Sequence, residues 1–376
     1  MNMDFVGHRY YNIYRILLSS VGLWPYQDPR MKKIQIVISS VILVSSVIIQ
    51  FMKFVTTEYS LDLLLKILSF AAPCMVFVLK YISFCMGTET VKDLMKNVIS
   101  DWNLLKTEIE LEIIKKYSDF GRLCTIFFAH FLDIVAPRNE SRLHSIPLTA
   151  EYFADQQKYY LPILFHIDII ALVGLTTMIS TECLFAAYIQ HAIGMFEIAS
   201  YRIEHAFDEI LGLNISQKNC SYCIKIISAI NIHNRAIKFT ECLRSGFATS
   251  YFCLICLGVT SLTANLVRLF LITQYVDDLE EYIIALLFLF GHIYYIFLGN
   301  YTGQRLIDHS TDVFRRTYIS QWYVAPPHAQ KLLLLMMQQS IKGSTMSVGG
   351  LFVPSLEGFA TIASMSISYF TVIRSV

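Results

Sequence analysis

Six stretches of this chain are long and apolar enough to cross a lipid bilayer as helices. A hydrocarbon core of about 30 Å requires roughly 20 mostly apolar residues at 1.5 Å each. Residues 34–51, 63–86, 163–189, 247–272, 282–298 and 348–373 meet that requirement. A seventh window, 121–136, is weaker because His130 and Asp133 interrupt it. It is kept for a reason independent of hydropathy: without it, two adjacent loops of opposite charge character would fall on the same side. The expected fold is an all-α polytopic membrane protein with seven transmembrane helices.

Charge sets the expected orientation. The N-terminal segment and the second, fourth and sixth loops together carry 21 Lys and Arg, among them Arg15, Lys92, Arg235 and Arg315. The other side carries five: Lys53, Arg138, Arg142, Lys158 and Arg374. Basic residues accumulate on the cytoplasmic side, so the N-terminus is expected inside and, after seven spans, the C-terminus outside. Arg9 and Arg15 break up the first 30 residues and no cleavage site follows, so the first span is expected to act as its own insertion signal.

Composition fits a chain surrounded by lipid. Charged residues are 16% of the total, against about a quarter in soluble domains. A net charge of +1 argues against a nucleic-acid partner, whose phosphates call for a basic excess. The nine cysteines do not form a disulfide scaffold: most lie inside apolar stretches, and Cys220-x-x-Cys223 has no second pair at zinc spacing. No metal or cofactor is expected. Asn139 begins a glycosylation sequon on a predicted outer loop.

The inner loops are longer than the outer ones and carry helical periodicity. Phe196, Ile203, Phe207 and Ile210 recur after the fourth span, and Cys223, Ile227, Ile230 and Ile237 before the fifth. Residues 330–339 hold an apolar run too short to cross, followed by a break at Gly343. Together they predict a cytoplasmic helical collar, with His205 and His233 as solvated or capping groups. The chain divides into a cytoplasmic N-terminal segment (1–33), spans one to six with a ligand pocket and cytoplasmic loops (34–298), anchor helices (299–346) and the last span (347–376).

Catalytic signatures are absent: no phosphate-binding glycine loop, no His-Glu-x-x-His, no nucleophile elbow. Enzyme function is not expected. The inferred orientation is opposite to that of G-protein-coupled receptors, and Ala136-Pro137-Arg138 stands where their acidic-Arg-Tyr triplet would close the third span. Lys66, Lys80 and Arg268 lie near span ends, where their charges are expected to snorkel. Asp133 and Asp168 are more telling, with Phe127, His130, Phe131, Tyr160, Leu164 and Phe165 around them. An aromatic-lined cavity with few polar groups suits a small apolar ligand; ordinary interhelical packing is the competing reading. Asp277, Asp278, Glu280 and Glu281 crowd one short outer loop, where Asp278 and Glu281 fit a capping box.

In the last span, Glu357, Thr361, Ser364, Ser368, Thr371 and Ser375 follow at steps of three and four. At ~100° per residue they fall on one face. Such a stripe can line water, or it can allow tight helix packing with hydroxyls bonded back to their own backbone.

The C-terminal quarter resembles the insect odorant receptors. The likeness runs through Gly299-Asn300, Ser310 and Tyr318-Ile319-Ser320-Gln321-Trp322-Tyr323. It continues in Gln330-Lys331-Leu332-Leu333-Leu334-Leu335-Met336-Met337, Ser340 and Gly349-Gly350. It closes in Pro354-Ser355-Leu356-Glu357, Phe359 and Ser368-Tyr369-Phe370-Thr371-Val372-Ile373-Arg374-Ser375-Val376. Gln339 departs from the pattern, standing where many relatives carry a basic residue. The gustatory receptors are the nearest alternative, but their Thr-Tyr…Gln-Phe mark is missing from the last span. A secondary transporter would show internal repeats and broken half-helices, and neither is found.

The resemblance implies a multi-pass receptor of the cell membrane, a tuning subunit of a ligand-gated, non-selective cation channel. The channel would be tetrameric and shared with an olfactory co-receptor. Its implied partners are a small volatile or lipid-like ligand, membrane lipid and permeant cations. It implies an odorant site in the outer halves of spans two, three, four and six, drawing on Leu68, Ala72, Phe288, His292 and Tyr295 besides the residues above. It implies conduction along the last span, with a gate near Val372, Ser375 and Val376, and subunit anchoring through Trp322, Tyr323, Leu333, Met336 and Met337. The orientation is checked by epitope tags: a tag after Val376 is expected to label on unpermeabilised cells, and a tag before Met1 only after permeabilisation. Surface labelling of the N-terminal tag alone would reverse the topology.

Overall fold

The computed structural model describes residues 7–105, 107–135, 151–155, 158–207, 215–275, 279–350 and 352–375, with side chains at 61–62, 123–135, 215–220, 275, 280–281, 284 and 375 left aside. The elements in order are α1 (His8–Ser20), α2 (Pro29–Phe51), α3 (Lys53–Thr56), α4 (Leu61–Met86), α5 (Thr88–Leu104) and α6 (Glu108–Val135). There follow α7 (Tyr160–Glu204), α8 (Ile215–Tyr275), α9 (Leu279–Ile319), a 3₁₀ turn (Trp322–Val324), α10 (Pro327–Ile341) and α11 (Leu356–Ser375). Helix starts follow local chemistry. Asp28 accepts the N–H groups of Arg30 and Met31 at 3.0 and 3.2 Å ahead of Pro29; Ser60 accepts that of Leu63 at 3.1 Å.

Among the described residues six helices are long and apolar enough to cross a membrane, α2, α4, α7, α8, α9 and α11. The first five contain the expected windows, whereas α11 begins at Leu356, not at 348, because Gly349 and Gly350 turn the chain ahead of it. The weak seventh window lies on α6, which runs unbroken to Val135. Its course follows from its contacts with α7. Near its start, Glu110 binds Arg202 of α7 at 2.6 Å, and farther on Gly121 lies beside Ala187. So α6 runs antiparallel to α7, from the collar into the bundle. Elsewhere, the backbone N–H of Glu151 donates to Ile49 at 2.9 Å and the Glu151 carboxylate meets Lys53 at 2.9 Å, both at the far end of α2. Asp133, Asn139 and the acidic pair Asp277 and Asp278 lie outside the described side chains.

Helices α7 and α8 have 45 and 61 residues, roughly 67 and 92 Å at 1.5 Å per residue. They exceed the bilayer by more than half their length, and the surplus projects at one end as the expected collar. Its core is tightly buried, with Trp102, Phe196, Ile193, Leu243, Leu306 and Leu333 each at most 1% exposed. Ion pairs and hydrogen bonds fasten its helices. Asp101 of α5 holds His191 of α7 at 3.0 Å and Arg235 of α8 at 2.5 Å; Glu197 of α7 holds Arg316 of α9 at 2.9 Å. His205 bonds the Tyr201 carbonyl as a capping group. His233 is not the solvated group expected: it is 1% exposed and bonded to Ser340 of α10 at 3.1 Å. Burial pushes its pKa down to about 4, so the ring is neutral. The break at Gly343 is a left-handed turn at φ +61°, a conformation glycine adopts without strain.

Inside the membrane the helices are tied by a polar ladder. Lipid tails are as apolar as the side chains they touch, so packing and interhelical hydrogen bonds must hold the bundle. Ser69 of α4 donates to Asn265 of α8 at 2.9 Å, and Arg268 of α8 donates to Ser69 at 3.2 Å. Ser83 donates to Ser250 of α8 at 2.6 Å. His292 of α9 gives its Nδ1–H to the Phe288 carbonyl at 3.2 Å, leaving Nε2 to accept from Ser261 of α8 at 2.7 Å.

Lys80 and Arg268 do not snorkel. Arg268 is 6% exposed and Lys80 only 2%. Lys80 lies six residues before the end of α4, about 9 Å inside. Its ammonium turns inward onto the Glu182 carboxylate of α7 and donates to the Tyr251 hydroxyl of α8 at 3.1 Å. It also lies 4.1 Å from the centre of that ring, a favourable place for a cation. Tyr295 of α9 donates to Glu182 Oε1 at 2.6 Å. Snorkelling loses because a carboxylate waits within reach on the neighbouring helix. Removing one partner of such a pair leaves a buried charge and typically costs about 3–5 kcal/mol, whereas removing both is nearly neutral. Lys80→Met is therefore expected to lower the melting temperature of the detergent-solubilised protein sharply, and Lys80→Met with Glu182→Leu to restore most of it. Equal melting of all three would show that the pair carries no stability.

Candidate functional site

Two features at opposite sides of α11 stand out. The first is its outward face. Helix α11 packs against α8 and α9 on one side only. Ile362 and Ser366 are buried there, Phe359 meets Phe297 edge-on at 5.5 Å, and Phe370 meets Phe270 at 6.0 Å. The other side leaves Glu357, Thr361, Ser364, Ser368 and Thr371 exposed, and the first four line a shallow trough with Ala360, Met365 and Tyr369. Thr361, Ser368 and Thr371 donate their hydroxyl protons to their own backbone, at 3.0, 2.8 and 2.7 Å. Hydroxyl lone pairs are thus left to face outward, a surface of acceptors.

The second is a cavity of about 170 Å³ between α7, α8, α9 and the segment leading into α11. Its walls are apolar, with Phe185, Phe247, Leu254, Ile255, Ile296 and Ile362 among them, and Glu182, Tyr251 and Tyr295 stand on its lining. It lies in the collar half of the membrane bundle.

The lead-in to α11 is docked on α9. Asn300 accepts the Ser355 N–H at 3.1 Å and Gln304 accepts that of Leu356 at 3.2 Å. A side chain at Gly303 would place its Cβ 2.3 Å from the Pro354 carbonyl, so only glycine permits this approach. Farther along α9, Ser310 accepts the Ser344 N–H at 2.8 Å. Gly349 and Gly350, at φ +60° and +70°, turn the chain between Val348 and Phe352, which form a short bridge. The scattered motif residues Asn300, Pro354 and Ser355 therefore meet in space at the joint between the collar and α11, while Ser310 fastens the loop after α10 and Gly349 and Gly350 turn the chain between them.

The expected ligand residues are only partly brought together. Phe288 packs edge-on against Phe70 of α4 at 5.5 Å. Leu68 joins a small cluster with Leu65, Ala264 and Val267, and Ala72 is buried. His292 is committed to Ser261, and Tyr295 points to Glu182 and lines the collar-side cavity. Phe127, His130 and Phe131 lie outside the described side chains. Tyr160 and Leu164 are half-buried, but Asp168 is exposed and Phe165 is 67% exposed. Ile163, Ile170 and Gly174 mark the buried face of α7, and Phe165 lies ~200° from Ile163 around the helix. An aromatic side chain suits lipid as well as protein, so composition could not reveal its phase. Glu182 stands out in the sequence as an ionisable residue at membrane depth, but nothing local names its partner; it could have been matched with Lys80 as a pair of opposite charges at similar depth.

Among the expected anchor residues, Leu333, Met336 and Met337 are buried within the protomer and hold α10 in place, and Trp322 packs on the main core. Tyr323 is exposed, with Tyr318, Ile319, Val324, Leu334, Leu335 and Ile341 also presented outward. The seven cysteines whose side chains are described form no disulfide with one another.

Comparison with known proteins gives the family and the fold. The "Odorant receptor coreceptor" of Aedes aegypti is 27% identical over 154 residues, 40% of this chain and 32% of that protein. "Odorant receptor 10" of Aedes albopictus is 24% identical over 161 residues, 43% of this chain and 42% of that protein. The chain thus aligns with less than half the length of these curated relatives. The fold matches that of the insect olfactory receptor OR5 from Machilis hrabei, solved in complex with eugenol, at a TM-score of 0.78 and 12% identity over 98% of both chains. The model of the 7tm Odorant receptor family matches residues 60–367. With most of its length matched in this way, the chain belongs to the 7tm Odorant receptor family.

Proposed function

We propose that this chain is the ligand-recognising subunit of a ligand-gated, non-selective cation channel in the cell membrane, assembled as a tetramer with an olfactory co-receptor. The collar and the N-terminal segment 1–33 lie in the cytoplasm, and α11 ends outside, as the distribution of basic residues supports. The carrying observation is the exposed hydroxyl face of α11. In an isolated protomer this face has no partner. Four copies around an axis would turn it onto a shared aqueous path, with outward lone pairs to replace part of a cation's hydration. Glu357 at the cytoplasmic end adds a carboxylate that attracts cations. The gate belongs near Val372, Ser375 and Val376.

The odorant site is assigned to the outer halves of spans two, three, four and six. Leu68, Ala72, Phe288, Tyr160, Leu164 and the span-three residues Phe127, His130 and Phe131 form it, and Phe165 and Asp168 flank it on the exposed face. His292 and Tyr295 support it from α9 through Ser261 and Glu182. Apolar burial at ~25 cal/mol per Å² drives binding there, so shape discriminates among ligands. The eugenol bound to the Machilis hrabei receptor is consistent with a small aromatic occupant. Subunits meet through the exposed apolar surface of the collar around Tyr323, which extends over 318–341 and is positioned by buried Leu333, Met336 and Met337.

Single cysteines along α11, probed with a water-soluble thiol reagent during ligand-evoked current in cells that also express the co-receptor, test this reading. Block is expected at 361, 364, 368 and 375 and not at 359, 366 or 370. The reverse pattern, or no block anywhere, would remove α11 from the conduction path.

A further inference from the structure

We propose that the collar-side cavity is a second ligand site, selective for small molecules that carry one hydroxyl group, such as phenols and short alcohols. A void of about 150 Å³ is enough for one benzene ring, and this one measures about 170 Å³. It is separate from the outer-half site: among the described residues assigned to that site or to its support, only Tyr295 and its partner Glu182 stand on its lining.

Selectivity follows from how the carboxylate is used. Glu182 Oε1 accepts from both Lys80 and Tyr295. Among the described residues its Oε2 has only the Tyr251 hydroxyl, at 3.5 Å, the outer limit of a hydrogen bond. Glu182 is 21% exposed, whereas Lys80 is closed off at 2%. The cavity therefore meets an under-used charged acceptor, while the ammonium that neutralises it is out of reach. At the cytoplasmic mouth, Arg244 is occupied by Glu241 and by Ser347 at 3.2 Å. A ligand O–H satisfies Oε2; an ether or ester of the same size brings only acceptors and leaves it unsatisfied. A hydrogen bond to a charged group in an apolar surrounding is stronger than one between neutral groups.

The location gives the site a consequence. Its walls include Met346, Val348, Phe352 and Pro354 from the lead-in to α11, and Ile362 from α11 itself. An occupant braces that segment against α7, α8 and α9. On the channel reading given above, occupancy modulates opening without competing for the odorant site.

The test is photolabelling of the purified full-length protein with a diazirine-bearing phenol, mapped by peptide mass spectrometry. Labelling is expected within 182–189, 244–258, 295–303 and 346–362, and phenol should displace it at a concentration at least tenfold below that of anisole. A Cβ at Gly299 meets nothing within 4 Å, and Gly299 lines the cavity, so Gly299→Leu fills the space and should abolish labelling. Lys80→Met with Glu182→Leu removes both charges together and should erase the preference for phenol over anisole. Labelling confined to other segments, labelling retained in a folded Gly299→Leu protein, or equal displacement by phenol and anisole would overturn the proposal. The readout is binding alone, so it holds whether or not the assembly conducts.

Discussion

Four membrane helices converge on the carboxylate of Glu182, through Lys80 of α4, Tyr251 of α8 and Tyr295 of α9. In water such a pair would contribute little, but at membrane depth each charge is costly unless it is matched. Placing the match between non-adjacent segments obliges α4, α7, α8 and α9 to meet at one depth and one rotation. The ladder above it, Ser69–Asn265–Arg268 and Ser261–His292, repeats the device along α8. Apolar packing alone would let these helices slide, since lipid replaces any neighbour at little cost.

The same hub connects regions with different tasks. Tyr295 lies four residues before Gly299, and the following stretch carries Asn300, Gly303 and Gln304, which grip the lead-in to α11. Farther along α9, Ser310 reaches the loop after α10, and Arg316 locks onto Glu197. One continuous helix thus touches the membrane hub, the joint of α11 and the collar. A rigid helix with contacts at three levels is a physical route by which ligand-induced movement in the bundle can reach α11, provided the joint has two arrangements.

Much of this was legible from residue order. The long apolar windows and the split of basic residues announced a seven-span helical bundle, and even interrupted α6 was recoverable from loop charge. The periodicity at Phe196 and Ile203 and from Cys223 to Ile237 anticipated the collar, although α7 ends at Glu204, short of Phe207, and Ile210 lies outside the described residues. The step pattern from Glu357 to Thr371 anticipated the exposed face of α11. Three kinds of information were hidden. Proximity to a span end suggested that Lys80 snorkels, because the alternative depended on Glu182, a hundred residues away. His233 looked like a surface histidine because only tertiary packing brings Ser340 to it. Phe165 looked like a pocket residue because aromatic side chains suit lipid and protein equally, and one-dimensional patterns within an all-apolar helix carry no phase.

The central claim is that ligand recognition and ion conduction belong to one assembly. It is tested most directly by whole-cell recording from cells expressing this chain and the co-receptor, with GDP-β-S in the pipette to silence G proteins. The account predicts a ligand-evoked current that persists under GDP-β-S, reverses near zero in mixed sodium and potassium, and shifts its reversal negative when external sodium is replaced by N-methyl-D-glucamine. A current abolished by GDP-β-S, or one whose reversal follows chloride, would contradict it.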